Sequence, residues 1–259
     1  MTDQVEVQPS PAEAGDSRRL LELEDVAVHF GGVKAVDGVS LYLREGLIHG
    51  ILGANGSGKS TLLGAVTRLN PLTRGRLIFD CTPYETVSPH RVAHLGVART
   101  FQTVRLIDDR PVRDNVLLGL DTSGRRTRKE LAHRVDEVME RVGITDLARM
   151  RPSELSYGMQ RRAEIARAIV GKPRLLLLDE PTAGMNTEER DDISALLISL
   201  KDEGFTQLLV EHDVQMMVDV CDYLFAMNFG KLIAQGLPDA VVADDAVRES
   251  YLGRQAGDA

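Results

Sequence analysis

A glycine-rich segment between an apolar stretch and a helical pattern constrains this chain most. Residues 47–52 are mainly apolar, the segment from Gly53 to Ser60 reads Gly-Ala-Asn-Gly-Ser-Gly-Lys-Ser, and a helical pattern follows from Thr61. In such a strand–loop–helix unit, backbone N–H groups surround a polyphosphate, the lysine reaches its outer phosphates, and the last serine can ligate Mg²⁺. The positive end of the helix points at the same anion. The alternative is a glycine-rich turn with no ligand.

A second chemical feature follows an apolar stretch later in the chain. Residues 175–178 are four leucines, and Asp179 and Glu180 come directly after them. The pattern predicts a buried strand that places two carboxylates at its C-terminal end, where α/β folds bind ligands. Asp179 suits a residue that supports Mg²⁺, and Glu180 suits one that orients or deprotonates water. The alternative is a strand that ends in a solvated acidic turn.

A third segment, residues 155–162, leads into an amphipathic helix. It reads Leu-Ser-Tyr-Gly-Met-Gln-Arg-Arg, with Ser156 placed to cap the helix and Gly158 permitting a close approach. A capped helix N-terminus suits an anion. Read alone, the segment indicates a capped helix and no more.

The remaining patterns predict an α/β fold with a mostly parallel sheet, because strands alternate with helices. Helical spacing with charged outer faces at residues 112–143 predicts a helical subdomain, inserted in the core over about 103–170. The predicted strands lie at about 21–28, 39–43, 47–52, 76–80, 175–178, 207–210 and 223–227, and the predicted later helices at 159–170, 188–200 and 214–220.

Composition narrows the class of protein. The chain has 259 residues, 43% of them hydrophobic, and a formal net charge of −8. Its longest apolar run, Tyr223 to Met227, is far shorter than the roughly twenty residues of a membrane-spanning helix. Nucleic-acid binding favours a basic face, so the acidic balance argues against a nucleic-acid partner.

The two ends are predicted to lie outside the folded part. The first 16 residues are rich in acidic residues and proline and lack the apolar region of a secretory signal. We therefore expect a disordered tail at 1–19, a folded domain at 20–253 and a short tail at 254–259. Cys81 and Cys221 match neither a disulfide framework nor a metal site, which indicates reduced thiols of a cytosolic protein.

These segments together resemble the ATP-binding subunits of ABC transporters, over residues 20–253. The resemblance implies the P-loop NTPase fold of an ABC ATPase, with an N-terminal antiparallel β subdomain and an inserted helical subdomain. Phe30 lies 29 residues before Lys59, where family members place an aromatic ring that stacks on adenine. The matching motifs, in the family's order, are the phosphate loop at 53–60, the loop glutamine Gln102, the signature at 155–160, the acidic strand end at 179–180, and His212.

The resemblance implies a role for each matching residue, with ATP and Mg²⁺ as cofactors. Glu180 is the expected activator of water, His212 the expected partner of the γ-phosphate, and Gln102 the residue that touches Mg²⁺ and the attacking water. The expected metal ligands are Ser60, Gln102 and Asp179. The residues expected to contact ATP are Phe30, Gly53, Asn55, Gly56, Ser57, Gly58, Lys59, Ser60 and Thr61, together with Ser156 and Gly158, which would contact ATP on the partner subunit.

Some segments are similar to one branch, the LivG-type subunits of importers for branched-chain amino acids and related amides such as urea. They are Arg99-Thr-Phe-Gln102, the Leu-Ser-Tyr-Gly signature, and the tail Glu249-Ser-Tyr-Leu-Gly253. The chain departs from many family members at Tyr157, Met159 and Asn186, where glycine, glutamine and aspartate are common.

The branch implies an energy-coupling ATPase at the cytoplasmic face of the cell membrane, bound there peripherally. Its expected partners are two transmembrane permease subunits and a second ATPase, either a paralogue or a copy of this chain. A periplasmic or extracellular solute-binding protein would take part indirectly.

Three other functions remain as alternatives. A soluble ABC ATPase of repair, chromosome or translation systems usually has two cassettes or a long coiled coil, whereas this chain has one cassette and no sustained heptads. The ATPase of a lipid exporter is disfavoured by the 99–102 segment and the C-terminal tail. A non-catalytic nucleotide-binding module is disfavoured by the combination of Glu180 and His212.

Overall fold

The computed structural model describes residues 18–120 and 127–252, and within these ranges it has two β-sheets flanked by α-helices. The predicted C-terminal tail and most of the predicted N-terminal tail lie outside the described residues. The strands, in chain order, are β1 (Arg19–Phe30), β2 (Val33–Arg44), β3 (Ile48–Leu52), β4 (Arg74–Phe79), β5 (Thr82–Pro83), β6 (Val97–Arg99), β7 (Leu175–Asp179), β8 (Thr206–Glu211), β9 (Tyr223–Asn228) and β10 (Lys231–Gly236).

The helices cover both faces of the larger sheet and fill the interval between β6 and β7. They are α1 (Lys59–Val66), α2 (Pro89–Val92), α3 (Val112–Leu117), α4 (Arg128–Arg141), α5 (Tyr157–Ile169), α6 (Thr187–Asp202), α7 (Val214–Val220), α8 (Pro238–Ala243) and α9 (Asp245–Leu252). In the described part of the chain no helix is both long and apolar enough to cross a membrane.

The smaller sheet is antiparallel, with the strand order β2–β1–β4–β5. Arg19 pairs with Arg44 of β2, so the last residue of the predicted N-terminal tail is instead the first residue of β1. The predicted strand at 76–80 extends one residue too far. Asp80 has a left-handed backbone with a φ of 51°, and it turns the chain into β5.

The larger sheet has the strand order β10–β9–β3–β8–β7–β6, and all of its neighbouring pairs are parallel except β10 with β9. Every residue of β3, β7 and β8 is buried. Parallel strands covered on both faces are expected to be apolar throughout, as the four leucines of β7 are. The predicted mostly parallel core sheet and antiparallel N-terminal sheet are both confirmed.

The core forms two apolar layers, one on each face of the larger sheet. Leu175 and Leu177 of β7 point into the layer shared with α1 and the antiparallel sheet. Leu176 and Leu178 point into the opposite layer, which contains α5, α6 and α7. Between residues 103 and 170 the described chain contains α3, α4 and α5 and no strand, which agrees with an inserted helical subdomain. The limits of that subdomain stay a prediction.

The parallel register brings three strand ends to one edge of the sheet. Leu52 at the end of β3 pairs with Glu211 at the end of β8, and Asp179 at the end of β7 pairs with Val210. The three segments that follow these strands therefore emerge next to one another. They are the glycine-rich loop, the acidic end of β7 and the segment after β8, and each contains at least one residue that was predicted for the site.

Candidate active site

The glycine-rich loop at residues 53–60 is packed so closely that side chains are excluded at two positions. Gly58 has a φ of +104°, and a Cβ there would lie 2.3 Å from the carbonyl oxygen of Ala35 on β2. A Cβ on Gly53 would lie 2.4 Å from the carbonyl oxygen of Met227 on β9. The loop thus lies between strands of both sheets, and glycine permits the close approach and the left-handed backbone.

The turn between β9 and β10 supports the same loop. The Gly230 N–H donates to the carbonyl oxygen of Ser57 at 2.9 Å, and the Gly230 carbonyl oxygen accepts from the Asp37 N–H at 2.8 Å. One residue of the turn therefore links the loop to β2. Backbone contacts to β2, to β9 and to the turn after β9 therefore hold the loop in place.

Lys59 and Ser60 carry the polar chemistry at the start of α1. Lys59 is 5% exposed, and its Nζ donates to the carbonyl oxygens of Gly53 at 2.6 Å and Ala54 at 3.2 Å. Ser60 is exposed, and its Oγ donates to Oδ1 of Asp179 at 3.3 Å. A positive charge therefore lies inside the curve of the loop, with a hydroxyl and a carboxylate beside it.

The side chains of Ser60 and Asp179 fit Mg²⁺ when phosphates complete its coordination. Both supply oxygen, which is the ligand atom that Mg²⁺ prefers, and Mg²⁺ usually takes only one or two protein carboxylates in such sites. No group of three His, Cys, Asp or Glu side chains in the described ranges is arranged to hold a metal ion. These residues therefore suit a metal that arrives with a nucleotide rather than one held by the protein alone.

Asp179 has a second partner, Arg99, whose contacts were not predicted from the sequence. Arg99 Nη2 lies 2.9 Å from Asp179 Oδ2, and the two side chains are only 10% and 5% exposed. Arg99 Nη1 also donates to Thr67 Oγ1 at 3.3 Å. The carboxylate that is the candidate metal ligand is thus kept in place by a buried guanidinium.

Glu180 is the half-buried residue that follows β7, and its backbone is left-handed with a φ of 46°. Its N–H donates to the Val210 carbonyl oxygen at 2.8 Å, which holds the turn to β8. Its Oε2 accepts from Gln102 Nε2 at 2.8 Å. The sequence predicted both side chains for one site, and the fold brings them into contact across 78 positions.

His212 directly follows β8 and is exposed. Its Nδ1 lies 3.6 Å from Oε2 of Glu211, which is 1% exposed. Glu211 was not predicted as a functional residue, yet its Oε1 accepts from the N–H and hydroxyl of Thr182 at 2.9 and 2.6 Å. Glu211 therefore fixes the chain after Glu180 and lies beside the histidine.

These segments enclose a cleft of about 360 Å³. Its lining residues all belong to the set predicted from the sequence: Asn55, Gly56, Gly58, Lys59, Ser60, Thr61, Gln102, Glu180 and His212. Gly53, Ser57 and Asp179 are buried behind the lining, and Phe30 is 49% exposed at the end of the β1–β2 hairpin. The cleft joins the glycine-rich loop to Glu180, the candidate activator of water, and to Gln102 and His212.

The family model described as "ABC transporter" matches residues 36–183, more than half of the chain. The chain belongs to the ATP-binding proteins of ABC transporters. It is an ABC ATPase, which hydrolyses ATP to drive transport. A second family model, described as "Branched-chain amino acid ATP-binding cassette transporter", matches residues 231–257.

Relatives of this ABC ATPase match it over nearly their whole length. The branched-chain amino acid transport ATP-binding protein BraF of Pseudomonas aeruginosa is 35% identical over 252 residues, which cover 92% of this chain and 99% of BraF. LivG of Escherichia coli K12 is 34% identical with the same coverage. The lipopolysaccharide export ATP-binding protein LptB of Haemophilus influenzae is 31% identical, covering 91% of this chain and 98% of LptB.

Solved structures of ABC cassettes have the same fold. The ADP conformation of MJ1267, an ATP-binding cassette of an ABC transporter, superposes with a TM-score of 0.84 at 30% identity, covering 92% of this chain and all of MJ1267. A dimeric post-hydrolysis cassette, MJ0796 bound to ADP and Pi, has a TM-score of 0.77 at 26% identity, covering 85% of this chain and 99% of MJ0796. This ABC ATPase is therefore a nucleotide-binding cassette.

The signature segment of this ABC ATPase begins α5 and does not line the cleft. Ser156 is exposed and caps the helix, because its Oγ accepts from the Met159 N–H at 3.3 Å. Gly158 is buried against α6, where a Cβ would lie 3.1 Å from Oε1 of Glu189. The predicted cap is confirmed, while the helix begins at Tyr157, two residues before its predicted start.

The departure at Asn186 has a local structural reason. Asn186 caps α6: its Oδ1 accepts from the Glu189 N–H at 2.9 Å, and Glu189 Oε2 accepts from the Asn186 N–H at 3.3 Å. Asparagine and aspartate stabilise a helix about equally well at the N-cap position. The cap is therefore maintained with asparagine in place of the aspartate common in the family.

We expect Gly58→Ala to weaken both the fold and nucleotide binding, because its Cβ would meet the Ala35 carbonyl. Gly204→Ala is the matched control: Gly204 has a φ of +91°, and nothing lies within 4 Å of the added Cβ. The control should lose about 1–2 kcal/mol of unfolding free energy from left-handed strain alone. Gly58→Ala should lose more, and should weaken ATP binding about tenfold, equivalent to about 1.4 kcal/mol. Denaturant unfolding and calorimetric titration measure the two effects. Equal losses in the two variants would contradict the packing described.

Proposed function

We propose that this ABC ATPase energises an importer of branched-chain amino acids or related amides such as urea. The observation that carries the proposal is the match at residues 231–257 to the branched-chain amino acid cassette model. This match lies outside residues 36–183, which the general ABC transporter model covers. The names of BraF and LivG, matched over 99% of their length, support the same substrate class.

In the proposed mechanism the cleft binds the phosphates of ATP and activates water against the terminal one. The loop N–H groups and Lys59 bind and neutralise the phosphates, as phosphoryl transfer requires. Glu180 orients or deprotonates the attacking water, and His212 hydrogen-bonds the γ-phosphate. Gln102 holds Glu180 through the 2.8 Å hydrogen bond. It would also contribute a ligand to the metal. Mg²⁺, when bound through Ser60, Asp179 and Gln102, supplies further positive charge to the phosphates.

The proposed active unit is a dimer in which each ATP is shared between two chains. Ser156 is exposed at the start of α5 yet lies outside the chain's own cleft, so it is available to ATP bound by a partner. Because Gly158 has no side chain, the backbone at the start of that helix would be able to approach the partner's ATP closely. The dimeric form of MJ0796 supports this arrangement. Phe30 would stack on adenine from the hairpin beside the loop.

The proposed partners follow from the importer branch. Two permease subunits would hold this chain at the cytoplasmic face of the membrane, and a second ATPase, a paralogue or another copy, would complete the dimer. A solute-binding protein would act through the permeases. No nucleic acid is proposed as a partner, since the net charge is −8.

The lipid-exporter alternative has one observation in its favour, the 31% identity to LptB of Haemophilus influenzae. BraF is more similar at 35%, and the C-terminal match is to a branched-chain amino acid cassette. The importer is therefore the better supported function.

Glu180→Gln should retain ATP binding and lose hydrolysis. The amide preserves the size of the side chain but cannot accept a proton, and loss of a general base lowers kcat by about 10²- to 10⁴-fold. Glu140→Gln is the matched control, because it removes the same charge from an exposed position on α4. Phosphate release and calorimetric ATP titration of both full-length variants provide the test. Hydrolysis by Glu180→Gln at the control rate would refute its assignment as the activator of water.

Copurification tests the importer proposal directly. The chain is tagged at its natural expression level, native membranes are solubilised gently, and the bound proteins are identified by mass spectrometry. We expect two polytopic permeases and a second ABC ATPase. Recovery of lipopolysaccharide-export components would favour the alternative, and recovery of only soluble partners or ribosomes would overturn the transport assignment.

A further inference from the structure

A buried ion pair lies in the first turns of α5, directly after the signature. Arg161 Nη1 is 2.6 Å from Glu164 Oε2, and the two side chains are 0% and 1% exposed. Burial raises the pKa of the Glu164 carboxyl, and the nearby Arg161 opposes that rise. Burying two charges is unfavourable, and a buried pair is weak evidence of a purely stabilising role. The contacts that these two side chains make with the neighbouring backbone point to a role beyond stabilisation.

Both members of the pair hold the irregular segment at residues 101–105. Arg161 donates from Nη1 to the Phe101 carbonyl oxygen at 2.6 Å and from Nη2 to the Gln102 carbonyl oxygen at 2.7 Å. Glu164 Oε1 accepts from the Arg105 N–H at 3.3 Å. This segment belongs to no helix or strand, so side-chain contacts of this kind determine where its backbone lies.

Tyr157 joins the same network from the signature itself. Its hydroxyl donates to the Gln102 carbonyl oxygen at 3.4 Å and accepts from Arg161 Nη2 at 3.2 Å. The Arg161 guanidinium also lies 5.8 Å from the centre of the Tyr157 ring. Glycine, common at this position in the family, could make none of these contacts.

The network ends at the catalytic carboxylate. Gln102 connects the network to this carboxylate. Its backbone carbonyl oxygen accepts from Arg161 on α5, and its side-chain Nε2 donates to Glu180 Oε2 at 2.8 Å. A movement of α5 relative to the core sheet would therefore move Gln102 and change the position of Glu180. The same helix is capped by Ser156, the residue proposed to contact ATP on the partner chain.

We propose that Arg161, held by Glu164 and assisted by Tyr157, is a positioning residue that links the signature helix to Gln102 and so sets Glu180 for water activation. Engagement of α5 with ATP on the partner chain would thereby adjust the carboxylate of this chain's own cleft. The proposal rests on the proposed roles of Gln102 and Glu180.

Arg161→Lys is the informative substitution. Lysine keeps the charge beside Glu164 but lacks the planar fork that reaches two carbonyl oxygens at once. The P-loop contacts are unchanged, so the KM for ATP should stay within about twofold while kcat falls about ten- to a hundredfold, the usual effect of misplacing a catalytic group by a fraction of an ångström to an ångström. Tyr157→Phe removes only a partly exposed hydroxyl and should lower kcat about two- to fivefold.

The decisive readout is a double-mutant cycle with Gln102→Ala. This change removes the link to Glu180 and leaves the backbone carbonyl in place. If Arg161 acts through Gln102, then Arg161→Lys and Tyr157→Phe should each change kcat less than about twofold in the Gln102→Ala background. A radiolabelled-phosphate assay of the full chain, purified with its copurifying subunits, is sensitive enough for the residual hydrolysis.

Arg134→Lys is the matched control. Arg134 on α4 also donates to a backbone carbonyl, that of Val170 at 3.0 Å, but it is not among the residues that line the cleft. It should leave kcat unchanged. Thermal unfolding of every variant checks the fold, and Tyr157→Phe carries the test if Arg161→Lys is unfolded.

Three outcomes separate the possible failures. An unchanged kcat in Arg161→Lys and Tyr157→Phe, with Glu180→Gln inactive, overturns the positioning role alone. If Arg161→Lys lowers kcat equally in the wild-type and Gln102→Ala backgrounds, the positioning role is also overturned, because the effect would not pass through the Gln102 side chain. An active Glu180→Gln enzyme would instead show that the proposed catalytic role is wrong.

Discussion

Parallel pairing of three buried strands, β3, β7 and β8, is the constraint on which the active site depends. Their register places the ends of all three at one edge of the sheet, so residues separated by up to about 160 positions face one cleft. The strands are buried along their whole length because α1 and the antiparallel sheet cover one face while α5, α6 and α7 cover the other. The chemistry therefore lies on loops whose anchors are rigid, which favours catalysis by positioning.

The two sheets contribute differently to this cleft. The core sheet supplies the loop, the carboxylates and the histidine, whereas the antiparallel sheet closes on the loop through the Ala35 carbonyl oxygen. Two arginines then hold the polar groups: Arg99 pairs with the Asp179 carboxylate, and Arg161 donates to the backbone carbonyl oxygen of Gln102. In both cases a guanidinium with little exposed surface donates to oxygen, and charge-assisted hydrogen bonds of this kind are strong.

The sequence allowed prediction of the features that depend on local pattern. Four leucines predicted β7, helical spacing predicted α7 with its observed limits, and the loop from Gly53 to Ser60 predicted most of the residues that line the cleft. Gln102 and His212 also line the cleft, and they were predicted only from the resemblance to ABC ATPases. Short or peripheral strands were missed: β6 has three residues, and β10 is an edge strand with half-buried positions that lack a clear alternation. The contacts of Arg99, Arg161 and Glu211 could not be predicted, since their partners are set by tertiary packing rather than by spacing.

The measurement that tests this account most directly is a structure of the full-length Glu180→Gln variant with Mg²⁺ and ATP, together with any second ATPase that copurifies. The account predicts a dimer with each ATP between the glycine-rich loop of one chain and Ser156 of the other, and with the terminal phosphate beside Gln102 and His212. ATP bound in this cleft of a single chain, with no contact to a second signature helix, would contradict the shared site. ATP bound away from the cleft would contradict the account as a whole.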